Sequence, residues 1–275
     1  MQLLKILFLS LNLFSNVKSY DTNQLNIGVW LSGAAYCDKN EYSSMKLGGP
    51  AKGFVYKDLL YDKKSDLQGF TGVLSSTKSI YVVLRGSSST KNWMEDFEAR
   101  KVHYDSFPEC KCEVHNGFYK SALGLANETI NSVKTLQKLY PGFQVVITGH
   151  SYGASCGQLL AMELERNSIQ TRIYNYGQPR VGDSKYAAFV NQKIQEYYRT
   201  THNKDIVSHV PPNDVMGYLH SCREIFEDGL GVLTLCSSSN CEDPKCSAQY
   251  KLSQTNGDDH TTYLGHKLSC ESSII

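Results

Sequence analysis

The chain has 275 residues, of which 41% are hydrophobic and 20% charged, with a formal net charge of +1. That composition supports one generous globular domain with a large core. The near-neutral balance argues against a nucleic-acid or polyanion partner.

The first residues read Met1-Gln2-Leu3-Leu4-Lys5, followed by an apolar run from Ile6 to Phe14 and then Val17-Lys18-Ser19. A basic start, an apolar middle and small residues at the end predict a secretory signal peptide over residues 1–19, cut after Ser19. The remainder, 20–275, is expected to be one secreted domain. Losing Lys5 and Lys18 lowers its formal charge by two, from +1 to −1. The leader is too short to span a bilayer, and no other stretch is long enough for a transmembrane span.

Nine cysteines in a secreted chain predict disulfides, and an odd number leaves one over. Cys156 is the expected free thiol. It falls among small residues on a predicted helix, where a thiol acts as a small hydrophobe. A zinc site from Cys236, Cys241 and Cys246 is the alternative, disfavoured because secretion promotes oxidation over thiolate ligation.

Residues 22–36 carry Leu25, Val29 and Ala35 at helical spacing and end at Cys37. After a Gly48-Gly49-Pro50 loop, Leu67–Leu74 and Ile80–Leu84 read as neighbouring strands. The second is continuously apolar, which predicts burial on both faces. Beyond Arg85-Gly86-Ser87-Ser88-Ser89, the segment 90–97 places Trp93, Met94 and Phe97 on one helical face and Lys91, Asn92, Glu95 and Asp96 on the other. It reads either as an ordinary surface helix or as a mobile lid. Cys110-Lys111-Cys112 is a loop, and Phe118–Tyr140 is an amphipathic helix stopped by Pro141-Gly142. Asn127-Glu128-Thr129 is a glycosylation sequon inside that helix, a placement that disfavours its use.

Next comes the stretch around which the chain is organised. Phe143 to Thr148 is a short, β-branched apolar run. It stops at Gly149-His150-Ser151-Tyr152-Gly153, and a helix-forming run continues to about Arg166. This is the strand, sharp turn and helix that a G-x-S-x-G motif needs to expose a nucleophilic serine. The helix would aim its free N–H groups at the reacting oxygen. Arg172–Tyr176 and Glu196–Thr201 are further strands, Cys222–Phe226 another candidate, and a Cys/Ser-rich loop covers residues 236–247. Strands and helices alternate without linker or repeat, which predicts a single α/β domain with a mostly parallel central sheet flanked by helices.

A serine hydroxyl needs a general base within reach, and the base needs an orienting acid. Asp205 follows a predicted strand, with Asp183 and Asp214 as rivals. His260 lies in a polar turn near the C-terminus, with His202, His209, His220 and His266 as rivals. The residues alone leave His260 and Asp205 level with these competitors.

Several blocks together resemble the secreted fungal-type triacylglycerol lipases (class 3, the Rhizomucor and Thermomyces group) and their feruloyl esterase relatives. They are Val83 to Ser89 with Asn92-Trp93, Val114 to Phe118, Thr148 to Gly153, Gly177 to Gly182, Asn203 to Val207, Pro211-Pro212, and His260 with Tyr263-Leu264-Gly265. They follow in the family's order over nearly the whole chain after residue 19. The resemblance implies an α/β-hydrolase-type fold, Ser151 as nucleophile, His260 as base and Asp205 as orienting acid. It also implies an oxyanion hole from Ser87 and the Tyr152 N–H, and a lid around Trp93, Met94 and Phe97. It suggests the pairs Cys37–Cys270 and Cys236–Cys246; for the rest, Cys110–Cys112, a very tight ring, and Cys222–Cys241 are the expected pairs. Some positions depart from the pattern: Tyr152 stands where the family usually has Leu, Ala154 where it usually has Gly, and the Cys110-Lys111-Cys112 run and the three cysteines of residues 236–246 differ from the expected cysteine set. The implied protein is a monomeric lipase acting on lipid or ester at an oil–water interface, with no metal or cofactor required. A soluble-ester esterase is the alternative, and an inactive binding protein on the same fold a more distant one.

Overall fold

A computed structural model describes residues 20–88, 98–237, 239 and 241–275. The signal-peptide segment and the lid residues Trp93, Met94 and Phe97 lie outside the described residues.

The core is an eight-stranded sheet. Its strands are β1 (Val55–Asp62), β2 (Leu67–Leu74), β3 (Ser79–Leu84), β6 (Gln144–His150), β7 (Thr171–Tyr176), β8 (Glu196–His202), β9 (Glu224–Glu227) and β10 (Leu233–Leu235), in the order β1-β2-β3-β6-β7-β8-β9-β10. From β3 to β9 the neighbours run parallel; β1, β2 and β10 add antiparallel edges. The two remaining named strands before β6, β4 (Lys101–His103) and β5 (Glu113–His115), form a separate antiparallel ribbon. The expected mostly parallel sheet is therefore present. The sequence missed β1 because only Leu60 along it is buried, so it lacks a strong apolar pattern.

Side chains alternate across a strand, and here the alternation sorts the core into two layers. Ile80, Val82, Leu84, Val145, Ile147 and Ile173 face α2 (Asn116–Leu139) and α3 (Ser151–Arg166). Tyr81, Val83, Val146, Tyr174, Tyr176 and Tyr198 pack on the opposite side with the apolar residues of α1 (Thr22–Ala34). β3 is buried at every position, as its unbroken apolar run predicts. A fourth helix, α4 (Ser184–Lys193), flanks α3. Asp21 starts α1 by accepting the N–H groups of Asn23 and Gln24. Beyond the end of α2, Gly142 adopts φ +82°, a left-handed conformation that favours glycine.

Four disulfides join Cys37 to Cys270, Cys110 to Cys112, Cys222 to Cys241, and Cys236 to Cys246. Cys156 is the free, buried thiol. The zinc alternative is corrected by this pairing, since Cys236, Cys241 and Cys246 are all in disulfides.

Candidate active site

The parallel strands all deliver their C-terminal ends to one edge of the sheet, where open α/β sheets place their ligands. β3 ends there at Arg85-Gly86-Ser87, β6 at Ser151, β7 at Gly177, and β8 leads into Asp205. Ser151 is the first residue of α3 and has φ +56°, unusual for a residue with a side chain. The flanking glycines permit that turn. A Cβ on Gly153 would fall 2.5 Å from the carbonyl oxygens of Leu84 and Arg85, and one on Gly149 would fall 2.9 Å from the Gly153 main chain. The helix therefore starts pressed against the end of β3, with no side-chain cap on its first turn. The Tyr152 N–H belongs to that turn, where helical amides lack intrahelical partners.

Ser87 sits one residue beyond Gly86, which packs directly on the serine turn: a Cβ on Gly86 would lie 3.0 Å from the Ser151 Cβ. Arg85 anchors this loop by donating to the Gly86 carbonyl and to Asp66, the latter at 2.8 Å. The Tyr152 hydroxyl lies 2.5 Å from Ser121 Oγ, and its ring meets Phe118 edge-on at 5.5 Å. The Tyr152 side chain thus leans on α2.

Asp205 and His260 come together at 2.9 Å, His260 Nδ1 to Asp205 Oδ2, with both side chains 1% exposed. The same carboxylate accepts the Val207 N–H at 2.8 Å, the Ser208 hydroxyl at 3.3 Å and the Tyr263 hydroxyl. Burial pushes Asp205 upward, but the adjacent His260 and these hydrogen bonds outweigh it and hold the carboxyl below its ordinary value. Burial, reinforced by the Asp205 charge, raises the Tyr263 phenol far above its ordinary value, so it remains a donor.

The rivals lie elsewhere. Asp183 caps α4 through the Tyr186 N–H, and Asp214 is exposed. His202 bonds the Asp259 carbonyl oxygen, and His209 bonds those of Asp205 and Ser247. His220 meets the Ser208 carbonyl, while His266 stacks on Trp30. Among the described residues, two buried polar atoms of the expected set lack a hydrogen-bond partner: Ser151 Oγ and His260 Nε2. No hydrogen bond joins them, a looseness common before substrate binds. Sequence reasoning gave no role to Tyr263, Ser208 or the Val207 amide. The signals were their closeness in the chain to His260 and Asp205 and, for Val207 and Tyr263, a place in the blocks that resemble the family.

Comparison with known proteins follows the same lines. The family model described as "Lipase (class 3)" matches residues 81–215. A Rhizomucor miehei protein named "Lipase" is 36% identical over 197 residues, covering 69% of this chain and 53% of its own length. A Fusarium solani "Secreted mono- and diacylglycerol lipase 1" is 32% identical, covering 60% of this chain and 49% of its own. The chain spans about half the length of these curated relatives. A solved structure of Rhizomucor miehei triacylglyceride lipase superposes with a TM-score of 0.82 at 30% identity, covering 90% of this chain and 96% of that one. Matched across its centre by the family model and along nearly all of that solved relative, the chain belongs to the class 3 lipase family, of the fungal type.

Proposed function

We propose that this protein is a secreted carboxylic ester hydrolase of the triacylglycerol lipase type. The observation that carries the reading is the buried His260–Asp205 pair, whose outer nitrogen is left without a partner, together with Ser151 on a left-handed turn directly after His150, whose ring centroid lies 4.3 Å from that of His260. Ser151 attacks the ester carbonyl while His260 Nε2 takes its proton. Asp205 holds the Nδ1–H tautomer and offsets the charge that develops on the ring. The oxyanion is stabilised by Ser87 and the Tyr152 N–H, where charge appears only as the tetrahedral intermediate forms. His260 then protonates the leaving alcohol. Water repeats the sequence on the acyl-enzyme and returns Ser151.

The names of the solved Rhizomucor triacylglyceride lipase and of the Fusarium mono- and diacylglycerol lipase support acylglycerol as substrate. Four disulfides support an oxidising destination, in keeping with a signal peptide over 1–19 and a single domain over 20–275, acting as a monomer. The lid rests on sequence alone. On this reading the face of Trp93, Met94 and Phe97 would fold over the site in water, because exposing it costs about 25 cal/mol per Å². At a lipid surface the same face is buried in lipid and the closed state loses its advantage.

The test sets an emulsified triglyceride beside a feruloyl ester, and adds a partly soluble ester followed through its solubility limit. The lipase reading expects the triglyceride to be the better substrate and the rate to climb steeply once droplets form. Trp93→Ala should blunt that climb while sparing a short dissolved ester. A smooth saturation curve unchanged by Trp93→Ala, with preference for the feruloyl ester, would move the assignment to a soluble-ester esterase.

A further inference from the structure

Two side chains next to the expected catalytic residues form a path that the ester-hydrolysis mechanism leaves unused. Tyr36 lies just past the end of α1 and beside Cys37, which is bonded to Cys270. Its hydroxyl is 2.6 Å from His150 Nδ1, and the other nitrogen of His150 is 2.9 Å from the His260 carbonyl oxygen. A carbonyl oxygen only accepts, so His150 Nε2 carries the proton. In the neutral ring Nδ1 then carries a lone pair, to which the Tyr36 O–H donates. The polarity of the whole chain is fixed: Tyr36 O–H to His150, and His150 N–H to the His260 main chain.

The path also touches the oxyanion loop. A Cβ on Gly86 would lie 2.2 Å from the Tyr36 hydroxyl oxygen, 3.0 Å from the His150 carbonyl oxygen and 3.0 Å from the Ser151 Cβ. Three loops therefore meet at Tyr36 and His150: the one leading to Ser87, the turn bearing Ser151, and the segment bearing His260. The His150 ring lies tilted against that of His260, with centroids 4.3 Å apart. An imidazolium forming on His260 would be repelled by a charged His150 at that distance. Burial, and then the His260 charge, hold His150 far below its ordinary value and keep it neutral. The other titratable groups around it are Tyr36, Asp205 and Tyr263. Burial also keeps Tyr36 protonated, raising its phenol well above its ordinary value against the opposing Arg85 charge.

We infer that Tyr36 and His150 are positioning residues, a directional hydrogen-bond brace that holds the oxyanion loop and the His260 segment in register about Ser151. This rests on the hydrolase reading of that site. The brace acts on the geometry of the reacting groups and not on substrate contact, so its loss belongs in kcat.

The experiment measures kcat and KM on a dissolved short-chain p-nitrophenyl ester for the full chain and four variants: Tyr36→Phe, His150→Leu, His150→Gln and Ser151→Ala. Tyr36→Phe and His150→Leu should each lower kcat roughly ten- to a hundredfold, with KM within about twofold of the unmodified protein. His150→Gln keeps an amide N–H near the position of Nε2, so it should recover part of the loss seen in His150→Leu. Unchanged kcat in folded Tyr36→Phe and His150→Leu would overturn the brace. So would a Gln variant as impaired as the Leu variant. An inactive unmodified protein, or an active Ser151→Ala, would instead overturn the hydrolase reading beneath it. Should the variants fail to fold, ¹⁵N-histidine spectra of the unmodified protein decide the matter. The brace requires His150 to be neutral and protonated on Nε2 at neutral pH; an Nδ1–H tautomer, or a charged His150 there, refutes it.

Discussion

His260 Nδ1 donates to Asp205 Oδ2 at 2.9 Å across 55 residues of chain, and both side chains are shut away from solvent. Asp205→Asn keeps the shape but offers an amide where the carboxylate accepted. On the proposed mechanism, His260 would then move its proton to Nε2 and could no longer take one from Ser151. A loss of roughly ten-thousand-fold in kcat is expected, with KM little changed, by analogy with the same change in a serine protease. Steady-state kinetics on a soluble ester give the answer, and a loss under tenfold would remove Asp205 from the mechanism.

Ser151→Ala should abolish nearly all turnover, about a million-fold by analogy with other serine hydrolases. Its thermal midpoint should stay close to that of the unmodified protein, because alanine inherits the same φ of +56°. Ser151→Gly should be equally inactive yet more stable, by about 1 kcal/mol, since glycine accepts the left-handed region freely. Calorimetry of the pair separates the strain of the turn from the chemistry of the hydroxyl.

On the proposed mechanism, Ser87→Ala removes a donor needed only where negative charge develops. A decrease of about a hundred- to a thousandfold in kcat is expected. If KM alone rises, Ser87 binds ground-state substrate instead.

Three of the buried histidines set an acid limit on the fold. Burial lowers His115 to about 4 and holds His150 and His220 far below their ordinary value, the latter two also opposed by neighbouring positive charge. The unfolded chain takes up their protons below about pH 6.5, and the folded chain does not. Stability from these groups is therefore present above about pH 6.5 and is lost as pH falls through the window down to their folded values. Each contributes a slope of up to about 1.4 kcal/mol per pH unit. Urea unfolding between pH 7 and 5 should show stability declining on acidification before the carboxylates titrate. A flat profile over that range would contradict their neutral burial.

The Cys37–Cys270 bond closes a loop of 233 residues, tying α1 to the C-terminal segment. Replacing both with alanine should cost about 3–5 kcal/mol. Cys156 is fully buried, and burial raises its thiol far above the ordinary value. Iodoacetamide should therefore spare the native protein and label Cys156 once it is unfolded, with no other cysteine modified unless a reductant is added. Peptide mapping by mass spectrometry reads both outcomes.

The sequence by itself determined what depends on neighbours along the chain. The serine turn was legible because an apolar strand, two glycines and a helix-forming run are contiguous. The close contacts that demand Gly149 and Gly153 arise wherever such a strand turns sharply into such a helix. The two-faced burial of β3 was legible from its unbroken apolar run, and the alternating order of strands and helices carried the parallel sheet. β1 was not legible, because an edge strand with one buried residue has little apolar pattern to read. Family resemblance, and not spacing, singled out Asp205 and His260. Only the tertiary structure decided that these two meet while Asp183 caps a helix and Asp214 faces solvent. The same holds for Tyr263 on the Asp205 carboxylate and for Tyr36, which reaches His150 across 114 residues. Local backbone geometry is written in adjacent residues. Which distant side chains share a buried carboxylate or a ring nitrogen is set by strand order and by where each loop leaves the sheet, and no local pattern carries that information.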